Sequence, residues 1–273
     1  MKNKKIPDLH YLYEASVQGV ATDLDFAVRV FRNKNSRAPR DLREDFCGTA
    51  ALACEWARRS PLHRAVGVDI DQPTLDWGIV HNLPYIGKRA GTVELLCADV
   101  LHAKTPPADL VMALNFSYCV FKTRDLLSRY FTAAHRALRP DGLLVLDLYG
   151  GTEAIDTKLE PRRVAASTAA DGTRIPAFDY IWDQAHYNVI DHHVINHIHF
   201  KLPGIGKINK AFTYDWRLWT LPEVQELLRD AGFRSAEVYL HGWTPAGESD
   251  EIYRRRTVYA NTLGWVAYLV GQR

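Results

Sequence analysis

The stretch Asp41-Leu42-Arg43-Glu44-Asp45-Phe46-Cys47-Gly48-Thr49-Ala50 decides how this chain reads. A strand ending in acids gives way to a turn of small residues, and residues 49–59 then carry helical spacing. A ligand at the carboxyl end of such a strand meets the unsatisfied N–H groups of the helix start, as phosphates and nucleosides do in α/β proteins. Twenty-five residues beyond Glu44, Val66-Gly67-Val68-Asp69 ends a second strand in another acid, spaced to accept both hydroxyls of a ribose.

Outward from this stretch, β-type runs at 41–46, 65–69, 93–98, 109–114 and 143–148 alternate with helical stretches at 49–59, 73–83 and 124–138. The last helix is closed by the turn Arg139-Pro140-Asp141-Gly142. The alternation predicts a parallel sheet covered by helices. Residues 9–18 and 23–32 read as two preceding helices, the second capped by Thr22 or Asp23. After Gly150-Gly151, the β-branched and aromatic runs 178–187, 193–202 and 208–219 predict a three-stranded antiparallel insertion. A helix at 221–231, ended by Gly232, and strands at 235–240 and 265–270 return to the main sheet. The expected layout is an N-terminal helical cover over 1–40, a core over 41–151 and 220–273, and an insertion over 152–219 serving as lid or dimer surface.

The 273 residues hold 34 Lys and Arg against 32 Asp and Glu, a net charge of +2 that provides no chain-wide field for a polyanion. This argues against nucleic acid as a partner. No apolar run reaches signal-peptide or membrane-span length, so the expected setting is cytoplasmic, without a membrane partner. Cys47, Cys54, Cys97 and Cys119 form no C-x-x-C pair and read as buried, reduced thiols with no zinc site.

The first motif resembles the signature of the class I S-adenosylmethionine-dependent methyltransferases, acid-x-Gly-x-Gly-x-Gly after the first strand with an acid after the second. On that pattern Glu44 is the acid and Gly48 the middle glycine, while Phe46 and Ala50 stand in place of the outer two. Leu96-Cys97-Ala98-Asp99-Val100 ends the third strand with an acid that the resemblance assigns to the adenine amino group. Leu114-Asn115-Phe116-Ser117-Tyr118 ends the fourth, where the family lines its methyl-acceptor site. The resemblance implies a Rossmann-like α/β fold: a seven-stranded, mostly parallel sheet with N-terminal helices and an antiparallel β insertion after the fifth strand.

It further implies S-adenosylmethionine as cofactor, held by Tyr13, Arg43, Glu44, Phe46, Cys47, Gly48, Asp69, Ile70, Asp99, Val100, Asn115 and Phe116. The expected activity is in-line methyl transfer to a small-molecule acceptor at nitrogen. Asn115 and Tyr118 share the end residues of the Asn-Pro-Pro-Tyr motif of amino-group methyltransferases and are the candidate catalytic pair. Tyr11, Tyr118, His197 and Tyr214 are the candidate acceptor contacts. Arg43 suits either the cofactor carboxylate or a neighbouring acid, and the base is open between Tyr118 and the insertion histidines. Strand alternation puts His193, His197 and His199 on one face with Ile195, and Val194, Ile198 and Phe200 on the other; no metal is assigned. The competing readings are a nucleic-acid or protein methyltransferase, an NAD(P)-dependent oxidoreductase, which the bulk of Phe46 in the turn opposes, and a non-catalytic nucleoside-binding module.

Overall fold

The computed structural model describes residues 7–244 and 249–273. Helices α1 (Leu9–Val17) and α2 (Val20–Lys34) precede β1 (Asp41–Asp45), α3 (Ala51–Arg59), β2 (Arg64–Asp69), α4 (Gln72–His81), β3 (Val93–Cys97), β4 (Ala108–Ala113), α5 (Arg124–Ala137) and β5 (Leu138–Gly150). A run of strands follows: β6 (Lys158–Val164), β7 (Ser167–Thr168), β8 (Arg174–Ile175), β9 (Phe178–Tyr187), β10 (His193–Leu202) and β11 (Gly206–Arg217). Then come α6 (Leu221–Asp230), β12 (Ser235–Leu240), β13 (Arg254–Arg256) and β14 (Trp265–Gln272). The chain forms two compact units, Gly19–Ala154 with Trp219–Arg273, and the residues up to Gln18 with Ile155–Leu218. The two N-terminal helices therefore fall in different units.

In the first of these, the α/β unit, eight strands among the described residues order as β13-β12-β14-β5-β4-β1-β2-β3. Strands β5, β4, β1, β2 and β3 run parallel, and β14, β12 and β13 add on antiparallel. The expected seven strands thus gain an eighth, β13. It consists of Arg254, Arg255 and Arg256, and such charge protects a sheet edge while hiding it from any hydrophobic pattern. Right-handed crossovers put α3 and α4 on one face and α5 on the other, and the strand order reverses between β1 and β4. That reversal opens a crevice at the carboxyl ends of the strands, where open α/β sheets bind ligands.

Local chemistry accounts for most boundaries. Helix α3 buries Leu52, Ala53, Trp56 and Ala57, one face of a 3.6-residue repeat. Helix α6 opens on a capping box in which the Thr220 hydroxyl accepts from Glu223 N and the Glu223 carboxylate accepts from Thr220 N. The core gathers Leu24, Phe31, Trp56, Leu110, Met112 and Val145. Two boundaries differ from the sequence reading by three residues or more. The pairing of β4 with β5 steps from Ala108↔Leu138 to Leu110↔Leu143, so the predicted turn at 139–142 is a bulge inside a longer strand. Helix α2 starts three residues before Asp23, with Gly19 as its N-cap, because the Asp23 carboxylate takes the Tyr268 hydroxyl instead of a helix-start N–H.

In the insertion unit the antiparallel sheet has four strands among the described residues, β11-β10-β9-β6, with β7 and β8 as a separate hairpin. The fourth strand, β6, was not legible as such: Lys158-Leu159-Glu160-Pro161-Arg162-Arg163-Val164 is a charged edge strand bearing a proline. Helix α1 belongs here, with the Tyr11 hydroxyl donating to the Asp171 carboxylate and the Tyr13 ring 4.9 Å from that of Phe212.

Candidate active site

The loop after β1 is built on three left-handed residues at alternate positions, Phe46, Gly48 and Ala50, with φ of 57°, 53° and 58°. These are the three glycine positions of the signature, so the backbone path survives two replacements by residues that adopt it at a cost of roughly 1–2 kcal/mol each. The surroundings hold that path. A Cβ on Gly78 would lie 2.3 Å from the Thr49 carbonyl oxygen, to which Asn82 Nδ2 donates at 3.0 Å, so α4 presses directly on the loop. The Phe46 ring packs 5.6 Å from Tyr130 and 5.9 Å from Phe121, away from the loop backbone. Ala50→Gly relieves one strained position that is fully buried, and is expected to raise stability by about 1 kcal/mol. In thermal unfolding that is a rise of roughly 2–4 °C in Tm, and a fall would contradict the strain.

The acid ending β2 closes the loop from the other side. Asp69 Oδ2 accepts from Gly48 N at 2.7 Å and Oδ1 from Asp71 N at 2.9 Å. Within β1, alternation separates the charges: Arg43 and Asp45 share one face and Glu44 takes the other. Arg43 is buried, with Nε 2.6 Å from Asp45 Oδ1 and its terminal nitrogens donating to Val100 O, Ala103 O and Thr105 Oγ1. It therefore ties β1 to the loop carrying Asp99, with four of its five N–H donors spent on these contacts. Asp45 is also engaged, accepting from the Tyr130 hydroxyl at 3.0 Å, and this leaves Glu44 as the acid of the motif.

Glu44 is buried with Oε2 accepting from Ala53 N at 2.9 Å. Burial, reinforced by Asp69, Asp23 and Asp45, pushes its carboxyl up to about 8. Burial likewise lifts Asp23 to about 6 and Asp147 to about 7, the latter also repelled by Asp23. Among the described residues the main groups acting on these three carboxyls are other acids, backbone N–H groups and the Tyr268 hydroxyl. A bound cation stabilises the carboxylate form of such groups, so a crevice of this kind favours a cationic ligand over a pyrophosphate.

With this geometry established, a family model described as "Methyltransferase domain" matches residues 45–146. The matched stretch is a methyltransferase domain. Its fold is shared by an amino pentose methyltransferase from Micromonospora echinaspora solved with S-adenosylmethionine bound, at 16% identity, TM-score 0.66 and coverage of 100% of this chain and 99% of that one. A sugar N-methyltransferase from Streptoalloteichus superposes at 17% identity and TM-score 0.65, over 98% of this chain and 93% of that one. An S-adenosylmethionine-dependent methyltransferase from Clostridium acetobutylicum does so at 14% identity and TM-score 0.65, over 96% of both chains. No curated protein matches.

The methyltransferase domain brings most of the named positions to the strand ends. Ile70, next to Asp69, is 74% exposed, an uncovered apolar side chain just past the end of β2. Asp99 Oδ1 accepts from Leu101 N at 2.9 Å, and Val100 is buried with its carbonyl held by Arg43. The Cys47 side chain packs against Gly67, and burial raises its thiol, so it is inert. Cys97, by contrast, is exposed and not a core thiol.

At the end of β4, Asn115 and Phe116 are consecutive left-handed residues, with φ of 56° and 59°. Their N–H groups donate to the two oxygens of Asp147, at 2.9 Å and 2.8 Å, while the Phe116 ring lies 4.9 Å from Tyr149. Asp147 was missed in the sequence, where the signal was one acid in the otherwise apolar run 143–149. Tyr118 is a correction. It lies in a short 3₁₀ turn, Ser117–Val120, that rotates its side chain into the core, where it is fully buried with its hydroxyl unpartnered among the described residues. Burial raises that hydroxyl well above its ordinary range, so it serves as neither base nor acceptor contact. Tyr118→Phe removes an unsatisfied group and is expected to leave Tm level or higher and turnover within twofold; a tenfold loss of turnover would restore it to the site.

The remaining candidates lie in the insertion unit. Tyr11 is tied to the β7–β8 hairpin, accepting from Thr173 Oγ1 at 3.3 Å as well as donating to Asp171. His197 is paired across the sheet with Asp183 and Thr213, its Nδ1 2.9 Å from Thr213 Oγ1. It shares that face with His199, whose Nε2 is 3.0 Å from Asp183 Oδ2. Tyr214 is on the opposite face, 4.3 Å from Trp216 and 5.9 Å from Trp182 by ring centroids. One acceptor pocket within this unit cannot take both His197 and Tyr214. Among the described residues no three His, Cys, Asp or Glu side chains gather to hold a metal ion.

Proposed function

We propose that this methyltransferase acts on the nitrogen of a small-molecule amine, with amino sugars the first candidates. The observation that carries the cofactor half of the reading is the set of buried carboxyls around a loop with three left-handed residues. S-adenosylmethionine is a nucleoside with an ammonium and a sulfonium, and it supplies an electrophilic methyl group. In our reading Asp69 takes the ribose hydroxyls, Glu44 the ammonium, and Asp99 with Val100 N–H the adenine edge, while Ile70 covers the base. Arg43 and Asp147 act behind these contacts, fixing the Asp99 loop and the Asn115–Phe116 turn. Aligning an acceptor against a bound methyl group supplies roughly 7–11 kcal/mol, so positioning dominates.

The acceptor half rests on two things. Two of the similar structures are titled as methyltransferases of a sugar nitrogen and of an amino pentose, and the likeness spans nearly the whole chain. One face of the insertion sheet also presents Trp182, Phe212, Tyr214 and Trp216 with Tyr13, an aromatic surface suited to a sugar face or an amine. Labelled-methyl transfer to paired amino and hydroxy sugars tests the assignment. The expected result is amine methylation at least about 100-fold faster; methylation of an oxygen acceptor, an oligonucleotide or a protein instead would contradict it.

Glu44 makes the reading testable by proton count. Its carboxyl holds a proton up to about pH 8 in the free protein, and a bound cation favours the carboxylate. Binding of S-adenosylmethionine at pH 7 is therefore expected to release a proton, and affinity to rise with pH up to about 8. Calorimetry in buffers of different ionisation enthalpy reads this release, which Glu44→Gln is expected to abolish. A wild-type enthalpy independent of buffer at pH 7 would contradict it.

A further inference from the structure

At the opposite end of the sheet from the cofactor loop, where β1 and β2 begin, the α/β unit holds an open cleft of about 630 Å³. Ligand pockets fall in this size range. Its wall carries Arg29, Arg32, Arg40, Arg59 and His63 against one carboxylate, Asp25. That carboxylate is engaged by Arg59 Nη1 at 2.6 Å, while Arg59 Nε is 2.9 Å from Glu55 and Nη2 donates to Ala21 O, so this guanidinium is fixed in place. The guanidiniums of Arg32 and Arg40 have no hydrogen bond or ion pair among the described residues. Arg32 and Arg59 stand in the last turns of α2 and α3, where a cation complements the helix dipole. Arg40, just before β1, has no such role.

His63 reports the field in this cleft. Its ring stacks on Trp56 at 3.8 Å, and Nδ1 donates to the Trp56 carbonyl at 2.8 Å, which orients the ring and leaves Nε2 for another partner. Burial lowers its basicity, the bond to the Trp56 carbonyl opposes this in part, and Arg59, Arg89 and Arg32 lower it further. We propose that this cleft binds a phosphate-bearing small molecule, held by the guanidiniums of Arg32 and Arg40 against the fixed Arg59, with His63 a further donor through Nε2 once the bound anion brings a proton onto its ring. Guanidinium forks match phosphate oxygens in pairs, and a compact cleft with several of them suits a diphosphate better than a long nucleic-acid strand.

The test uses inorganic pyrophosphate and ADP as probes, followed by calorimetry and by the NMR shift of the His63 ring, with the Arg32→Ala/Arg40→Ala variant beside the wild type. Both substitutions remove exposed side chains without partners among the described residues, and S-adenosylmethionine binding within threefold of wild type verifies the fold of the variant. The expected result is binding of both probes to the wild type, an upward move of the His63 titration on saturation, and at least a tenfold loss of affinity in the variant. No binding, or binding that the variant retains in full, would overturn the proposal. A short oligonucleotide that binds more tightly than ADP through the same two arginines would overturn the small-molecule assignment.

Discussion

Asp69→Ala is expected to weaken S-adenosylmethionine binding by at least about 100-fold, the largest cofactor effect of any single substitution in this domain. Its carboxylate holds two backbone N–H groups, Gly48 N at 2.7 Å and Asp71 N at 2.9 Å, so it organises the loop even in the free protein. Hydrogen bonds to a charged group contribute about 1.5–3 kcal/mol each, and two ribose hydroxyls on one carboxylate account for the predicted loss. Asp69→Asn keeps a carbonyl oxygen for one N–H group and should fall between the two. Equilibrium dialysis with labelled cofactor measures both, and an Asp69→Ala protein that binds within tenfold of wild type would remove Asp69 from the site.

Asp147→Ala is expected to cost about 2–4 kcal/mol of stability and to reduce methyl transfer at least tenfold. The substitution leaves the N–H groups of Asn115 and Phe116 without their acceptor in a part-buried turn, and both residues hold positive φ. Without the carboxylate, the strain at these two positions is released by refolding the turn, which displaces the end of β4. Thermal unfolding reads the first effect. A kcat loss with cofactor affinity changed less than threefold reads the second, whereas a parallel loss of affinity would move the turn into the cofactor site.

Asp147, Asp23 and Glu44 also set a sign for pH dependence. Each has a folded-state carboxyl raised above its ordinary value, to about 7, 6 and 8 respectively, so the folded protein binds more protons than the unfolded chain between about pH 4 and 8. Their combined contribution to stability is full at acid pH and is lost as pH rises through these values. A bound cation reverses part of that loss, consistent with the proton release expected at Glu44.

The strand ends were legible because acids and small residues at these points interrupt apolar runs: Glu44, Asp69 and Asp99 fall at or just past the ends of β1, β2 and β3. The loop path was not, since nothing in Phe46 or Ala50 announces a left-handed backbone; the contacts of Gly78 and Asn82 with Thr49 belong to tertiary structure. Tyr118 misled because spacing from Asn115 matched a known motif, whereas a 3₁₀ turn and not an extended segment sets its direction. Asp147 stayed hidden inside a strand read as core. In the insertion, alternation along β10 separated histidines from aromatics despite the irregularities in β9 and β11 that face it, and it thereby shows why His197 and Tyr214 do not converge. Strands β6 and β13 escaped notice because edge strands are charged, and charge carries no period-two signal.

The most direct measurement is calorimetric titration of the wild-type protein with S-adenosylmethionine and S-adenosylhomocysteine, with NADH and NADPH titrated alongside. Micromolar binding of both sulfur nucleosides is expected, and neither nicotinamide dinucleotide should displace them, because the acids after β1 and β2 suit a cationic nucleoside rather than a pyrophosphate. Binding of NADH or NADPH in place of the sulfur nucleosides, or no binding of any of the four, would contradict it.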